Sequence, residues 1–258
     1  SKLRIRVGNP DELSSNRFGK TLELLKHRVT KPEAGIAESI TGKVITALNE
    51  EAVISACLAN RQGLNLVVSY EAFAVKMLGA IRQTLIFSRH QKERGEPAGW
   101  LSLPVVATSH VWENGKNEQS HQDPTLCESL LNEMSDMARV VFPADANSAM
   151  ATLKACYGDM GAIWNLVVAK SKVPGMLTPE QAQSLVEQGA ICLRGHCQAE
   201  IQIIAVGSYQ LQQALLLSDR LTRNNQAHSV IYMLEPGRFR CARDQWEQNH
   251  QADTKPQN

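Results

Sequence analysis

Residues 163–169, IWNLVVA, form an apolar run with almost no polar interruption. A strand of that kind is buried on both faces, which calls for a parallel sheet sandwiched between helices. The rest of the chain repeats the theme. Residues 64–70, 101–108 and 138–142 read as strands, and helix-periodic segments alternate with them. In residues 71–89, Phe73, Met77, Ile81 and Leu85 fall on one face of a long helix. Residues 126–134 and 146–157 are also read as helical. Residues 44–58 fit an apolar helical stripe through Val44, Ala47, Leu48, Ile54, Cys57 and Leu58. Thr178-Pro179-Glu180-Gln181 opens another helix, with Thr as N-cap, Pro in the first turn and Gln completing a capping box. The predicted fold class is therefore α/β: a mostly parallel open sheet with helices on both faces and right-handed crossovers.

Three regions follow from this pattern. Residues 1–190 form one α/β domain. Residues 198–243 hold a single strand–helix–strand crossover, too little for an independent domain and expected to be the incomplete start of another. Residues 244–258 are polar and are expected to form a disordered tail. Residues 26–41, broken by Pro32 and Gly35, are expected to be an irregular, exposed connection.

Composition excludes several classes. With 27 basic and 26 acidic side chains the net charge is +1, which gives no case for nucleic acid or an anionic membrane as partner. Neither a bilayer-crossing stretch nor a signal-peptide pattern is found, and a cytoplasmic location is expected. The six cysteines have no framework spacing. Cys192 and Cys197 bracket His196, but reduced thiols are the expectation there, and no metal site is predicted in this chain.

Chemistry is concentrated at strand ends. The run ending at Thr108 leads into a polar loop that closes on Ser120-His121-Gln122-Asp123-Pro124. In open α/β sheets the carboxyl ends of strands are where ligands bind. Ser15 and Arg17 lie two apart, close enough to hold one phosphate, although spacing alone reads them as a helix cap and a solvated Arg. Glu50 and Glu51 point about 100° apart on an ideal helix, and spacing alone reads them as surface acids. Common nucleotide, hydrolase and zinc motifs are absent from the sequence.

Six blocks, in order, resemble the phosphoketolase family, thiamine-diphosphate enzymes related to transketolase. They are Asn9-Pro10-Asp11-Glu12-Leu13-Ser14-Ser15-Asn16-Arg17; Gly42-Lys43-Val44-Ile45 with Leu48-Asn49-Glu50; Ser69-Tyr70-Glu71-Ala72-Phe73; Thr108-Ser109-His110-Val111-Trp112; Ser120-His121-Gln122-Asp123-Pro124; and Pro143-Ala144-Asp145-Ala146-Asn147. The match covers the family's middle, pyrimidine-binding domain over roughly residues 8–190, with the start of its C-terminal domain beyond.

The resemblance implies roles for particular residues. Glu50, with Glu51 as fallback, matches the glutamate that hydrogen-bonds the aminopyrimidine of thiamine diphosphate and so promotes proton loss from its thiazolium carbon. A carboxylate buried beside a neutral ring can share a proton with it. Tyr70 matches the residue that stacks on the pyrimidine, with Phe73 one helical turn on; without the match both read as ordinary core. His121 matches a histidine facing the reacting carbons, where an imidazole can exchange protons with substrate hydroxyls. His110 is read as structural. Ser15 and Arg17 match sugar-phosphate ligands, and Asn117 keeps the family type. Lys172 matches a phosphate-binding lysine if one residue is inserted nearby.

Departures accompany the match. The family's loop reads close to D-H-N-G-F-S-H-Q-D-P, whereas Lys116 here replaces a histidine and Gln119 an aromatic. Lys116 can still bind phosphate as a point charge, but the lost acid/base group bears on phosphorolysis. The segment from Glu50 to Tyr70 is two residues shorter than is typical of the family. The implied reaction cleaves xylulose 5-phosphate or fructose 6-phosphate with inorganic phosphate, giving acetyl phosphate and an aldose phosphate. The alternatives are a transketolase-like transfer, or a non-catalytic scaffold or regulatory subunit. In the family, the diphosphate and its Mg2+ are held by another domain with a G-D-G motif, which this sequence lacks. The expectation is thus a fragment or a separate subunit, inactive alone, acting with a diphosphate-binding domain or subunit in a homodimer or hetero-oligomer.

Overall fold

The computed structural model describes residues 3–10, 13–108 and 123–252. Eight parallel strands make the main sheet: β1 (Arg4–Gly8), β2 (His27–Arg28), β3 (Glu38–Ser39), β4 (Val44–Ile45), β5 (Gly63–Tyr70), β6 (Leu103–Thr108), β7 (Ala138–Val141) and β8 (Ile163–Val167). Their spatial order is β3-β2-β4-β1-β5-β6-β8-β7. From β1 the chain turns to one side of the sheet, and from β5 it turns to the other. The crevice outside the carboxyl ends of β1 and β5 is therefore the topological switch point, where open sheets place their ligands.

Helices cover both faces, as the apolar runs predicted. One face packs against α2 (Glu50–Leu58), α4 (Leu78–Glu93) and α5 (Thr125–Leu131), burying Ile54, Met77, Ile81, Leu85, Leu126 and Leu130. The other receives α1 (Gly19–Leu25), α6 (Ala146–Gly158) and α7 (Pro179–Gln188). The alternation is strict in β6 and β8: Val105, Ile163 and Val167 belong to the first core, Val106, Trp164 and Leu166 to the second. A period of two in a strand buried on both sides yields an unbroken apolar run, which is why residues 163–169 were legible as they were.

The predicted capping box at Thr178 is present: its hydroxyl accepts from Gln181 N at 3.2 Å, and the Gln181 side chain accepts from Thr178 N at 3.0 Å. Asp145 makes a second capping box at the start of α6, with Ser148 as its partner.

A second sheet of three strands follows: β9 (Ala190–Arg194), β10 (Gln202–Ala205) and β11 (Ser229–Met233), in order β10-β11-β9. The predicted crossover is there, as β10, α8 (Ser208–Arg223) and the parallel strand β11. Residues 190–194, which lay largely between the two units read from sequence, supply its antiparallel third strand. The two sheets are locked together by polar contacts. Phe142 N donates to Leu234 O at 2.8 Å, and Arg139 makes two hydrogen bonds, of 2.7 and 2.6 Å, to the buried carboxylate of Glu235. The Arg139 guanidinium also lies 3.6 Å from the Trp164 ring centroid.

Three expectations are corrected. Val44 and Ile45 are not helical: they form β4, whose β-branched side chains suit a pleated ladder beside Val7 and Gly8. The helix begins only at Glu50, because Asn49 caps it by accepting from Ala52 N at 2.8 Å. Residues 26–41 include two short strands, β2 and β3, rather than a wholly irregular connection. The polar segment after Arg243 is not wholly a disordered tail: α9 (Gln245–Ala252) forms there. Its Glu247 is fully buried, where it accepts from Arg243 N at 2.8 Å and Ser135 N at 3.0 Å and pairs with Arg240. Nearby arginines and a distant backbone N–H thus converge on one buried carboxylate and hold a helix whose own composition would leave it unfolded.

Candidate functional site

The switch-point crevice is built by three chain crossings. Asn9, just past β1, donates from Nδ2 to Val68 O of β5 at 2.8 Å, tying the two strand ends together. Asn16 accepts a hydrogen bond from Thr108 Oγ1 at the end of β6. Between Leu13 and Asn16 the chain delivers Ser15 to Tyr70: their hydroxyl oxygens are 2.6 Å apart. Lys170, just beyond β8, donates to the same Tyr70 hydroxyl at 3.0 Å, with its ammonium 4.6 Å from the ring centroid. An ammonium can only donate, so the Tyr70 oxygen accepts from Lys170 and its proton is free for Ser15. The result is a run of hydrogen bonds linking Lys170, Tyr70 and Ser15 across three strand ends.

Phe73 meets Tyr70 edge-on, with ring centroids 6.2 Å apart and planes at 85°. The geometry follows from the chain. Tyr70 is the last residue of β5, and α3 (Glu71–Ala74) starts at once, placing Phe73 beside it. A 3-10 turn, Val75–Met77, leads into α4. Lys76, in that turn, lies 5.2 Å from the Phe73 centroid and 3.5 Å from Glu50 Oε2. Lys76 is 60 % exposed, whereas Glu50 is only 12 % exposed. Glu50, Lys76, Phe73 and Tyr70 therefore run as one contiguous line from the start of α2 to the crevice. Glu51 faces elsewhere: it lines a groove of about 420 Å³ between α2 and α4, beside Gly79 and Trp100.

The sequence-predicted residues separate accordingly. Ser15, Tyr70, Phe73 and Glu50 are brought into this line of contacts. Arg17 sits on the rim with a left-handed backbone (φ 67°); its guanidinium is exposed and makes no hydrogen bond or ion pair among the described residues. Lys172 is likewise exposed and unpaired among them. Lys116, Asn117, His121, His110 and Gln119 lie outside the described residues. Asp123, which ends that loop, accepts from Thr125 N at 2.9 Å and so anchors the start of α5. Sequence reasoning passed over Lys170 in favour of Lys172. A usable signal was present: Lys170 is the first charged residue beyond the nearly uninterrupted apolar run of β8.

Asp145, from the sixth family-like block, underlies the same edge. Burial would raise its pKa, but hydrogen bonds from the backbone N–H groups of Ser148, Leu177 and Met176 and from the Ser148 hydroxyl hold it below the ordinary carboxylate range. It is thus a structural anion that pins residues 176–177 to the start of α6. Among the described residues, no group of three or more His, Cys, Asp or Glu is arranged to hold a metal, and no helix is long and apolar enough to cross a membrane.

The residues present suit the pyrimidine half of thiamine diphosphate. A largely buried carboxylate, Glu50, sits one lysine away from an aromatic pair.

Comparison with known proteins agrees with this fold. The chain resembles the transketolase from Leishmania mexicana, with a TM-score of 0.72 at 18% identity, over 95% of this chain and 34% of that one. A split-gene transketolase, described as an inactive beta4 tetramer, matches with a TM-score of 0.59 at 17% identity, over 90% of this chain and 66% of the other. Among curated relatives, the probable phosphoketolase of Brucella abortus (strain 2308) is 30% identical over 202 residues, 73% of this chain and 24% of the relative. That of Bifidobacterium animalis subsp. lactis (strain AD011) is 27% identical over 250 residues, 89% of this chain and 30% of the relative. The chain thus spans about a quarter to a third of the length of these curated relatives. Residues 1–159 match the family model for D-xylulose 5-phosphate/D-fructose 6-phosphate phosphoketolase, and the chain belongs to that family, with the α/β fold of transketolase-type thiamine-diphosphate enzymes.

Proposed function

We propose that this chain is the pyrimidine-binding portion of a phosphoketolase. The full reaction cleaves xylulose 5-phosphate or fructose 6-phosphate with inorganic phosphate, yielding acetyl phosphate and an aldose phosphate. The observation that carries the reading is the meeting of Ser15, Tyr70 and Lys170 at the switch point, with Phe73, Lys76 and Glu50 in line behind them.

When bound, thiamine diphosphate supplies the carbon nucleophile that attacks the ketose carbonyl. Glu50 holds a proton at a ring nitrogen of the aminopyrimidine, and Tyr70 and Phe73 pack against that ring. Ser15 and Arg17 take the sugar phosphate. Lys170 joins them in place of Lys172, since it is Lys170 that reaches Tyr70, the partner of Ser15. His121, Asn117 and Lys116 act from the loop after β6, on substrate hydroxyls and phosphate. The diphosphate and Mg2+ are held by a domain or subunit outside this chain, and the protein works as a homo- or hetero-oligomer in the cytoplasm. A similarly folded protein described as a split-gene transketolase, an inactive beta4 tetramer, supports such a division of labour. A transketolase-like transfer is the second reading, favoured by Lys116 standing where the family keeps a histidine.

The test is acetyl phosphate formation from xylulose 5-phosphate and phosphate, with cofactor and magnesium present. The chain alone is expected to be inactive and its assembly with the diphosphate-binding part active. Glu50→Gln in that assembly should cut turnover about 10²–10⁴-fold. Turnover by the isolated chain, or full activity in Glu50→Gln, would overturn the assignment.

A further inference from the structure

The groove of about 420 Å³ between α2 and α4 holds no residue of the line that runs from Glu50 to Ser15. Its two helices lie side by side and point the same way. At their amino ends Gly79 is next to Glu51: a Cβ on Gly79 would be 3.7 Å from Glu51 Oε1. At the other end, the guanidinium of Arg61, just past α2, lies 5.1 Å from the ring centroid of Phe87, more than two turns into α4. The groove therefore has an acid at one end and a base at the other, roughly 15 Å apart at the rise of an α-helix.

Among the described residues that line the groove, Glu51 and Arg61 alone are charged. Neither makes an ion pair among the described residues. On the exposed side of α4, by contrast, Lys76 is matched by Glu50 at 3.5 Å and Arg82 by Glu133 at 2.6 Å. Large apolar side chains stand exposed at the same two ends. Leu48, 90 % exposed, comes just before α2, and Ile86 and Phe87, 54 % and 47 % exposed, lie on α4 at the Arg61 end. Apolar groups of this size gathered along one face mark an interaction surface.

We propose that a second copy of this chain docks on this face, its groove laid antiparallel on the first across a two-fold axis. In an isologous pairing, residue i of one copy meets residue j of the other, and j meets i. Rotation by 180° about an axis through the middle of the groove exchanges its ends. Glu51 then faces Arg61 of the partner subunit, and Arg61 faces the partner subunit's Glu51, so both unmatched charges are satisfied. The same rotation brings Leu48 to Ile86 and Phe87 of the partner subunit, taking apolar surface on both sides out of water. A parallel pairing would set acid on acid and base on base, so charge selects the antiparallel one. Any other partner would need its own base and acid at the same spacing, which this chain already carries. The pairing makes the oligomer a homo-oligomer through α2 and α4. It is independent of the chemistry assigned to the crevice, and association is read without turnover, so either can fail alone.

Sedimentation equilibrium of the native chain over a concentration series tests the pairing, and a species with the mass of two chains is expected. Glu51→Arg and Arg61→Glu should each raise the Kd of the dimer at least about tenfold, by setting like charges together. Combining them reverses both pairs and should return Kd to within about threefold of the parent, a rescue that misfolding cannot imitate. Both sites are exposed, and thermal melting of each variant checks that the fold is kept. Leu48→Ser should weaken the dimer as well, with no rescue from the charge exchange. The proposal is overturned if the parent stays monomeric up to about 100 μM, if the single reversals leave Kd unchanged, if the combined variant is as weak as the single ones, or if this face engages only a different chain.

Discussion

Replacing Glu235 by Gln tests what holds the second sheet to the first. Glu235 is 1 % exposed, and both its oxygens accept from Arg139, at 2.7 and 2.6 Å. Burial by itself would raise its pKa. The Arg139 charge and hydrogen bonds, with His250 at 3.4 Å, outweigh burial and bring the carboxyl from 4.5 down to about 2. Each unit of pKa difference between folded and unfolded states is worth about 1.4 kcal/mol, so this one carries roughly 3 kcal/mol. Removing one partner of a buried ion pair costs ~3–5 kcal/mol, because the other charge is left uncompensated, and the two routes agree. The sign is fixed by linkage. A carboxyl with a lowered folded-state pKa contributes its full stability above its unfolded value, near 4.5, and loses it as pH falls toward 2. In urea titrations, Glu235→Gln should therefore lie about 3 kcal/mol below the parent at pH 7. The gap should narrow below pH 4.5 and close near pH 2. By thermal scan the deficit at neutral pH corresponds to ~6–12 °C for a chain of this size. A neutral-pH loss below about 1 kcal/mol, or a gap that stays constant from pH 7 to 3, would refute the pairing as the source of that stability.

Other predictions follow from the site and its supports. Lys170→Ala should raise the KM for the sugar phosphate at least about tenfold in the assembled enzyme, whereas Lys172→Ala should change it less than about twofold; steady-state kinetics of the two variants separates them. Tyr70→Phe removes the acceptor of Lys170 and the partner of Ser15, so thermal melting should fall by the equivalent of about 1–3 kcal/mol, with the sheet retained by circular dichroism. Asp145→Ala deletes the cap of α6 and the acceptor of the Met176 and Leu177 N–H groups, and denaturant titration should show a loss of about 2–4 kcal/mol.

Much of the architecture was legible from residues 163–169 and their counterparts, because a strand buried on both faces leaves a continuous apolar record. The crossover 202–233 and the capping box at Thr178 were legible for an equally local reason: strand period, helix period and cap chemistry are written within a few residues. The polar C-terminal segment was misread because its helix depends on Glu247 meeting the backbone N–H of Ser135, far away in the chain, a contact that no local window contains. Val44 and Ile45 were misread because a six-position apolar stripe fits a helix as well as a strand-plus-helix, and only Asn49's cap separates the two. Within the site, family-like blocks marked Ser15, Tyr70, Phe73 and Glu50 by position, while the residues of the loop after β6 lie outside the described structure.

Local residue patterns were enough for the alternation of strands and helices, hence a parallel sheet covered on both sides, and for the family whose blocks the chain carries. They also placed polar residues at strand ends. The choice between neighbours of the same type came from packing: Glu50 rather than Glu51 lies in line with the crevice, and Lys170 rather than Lys172 reaches Tyr70. Periodicity fixes the direction of a side chain relative to its own helix or strand. Which external group it meets depends on how separate elements pack, and one residue's difference in rotation or reach is settled there.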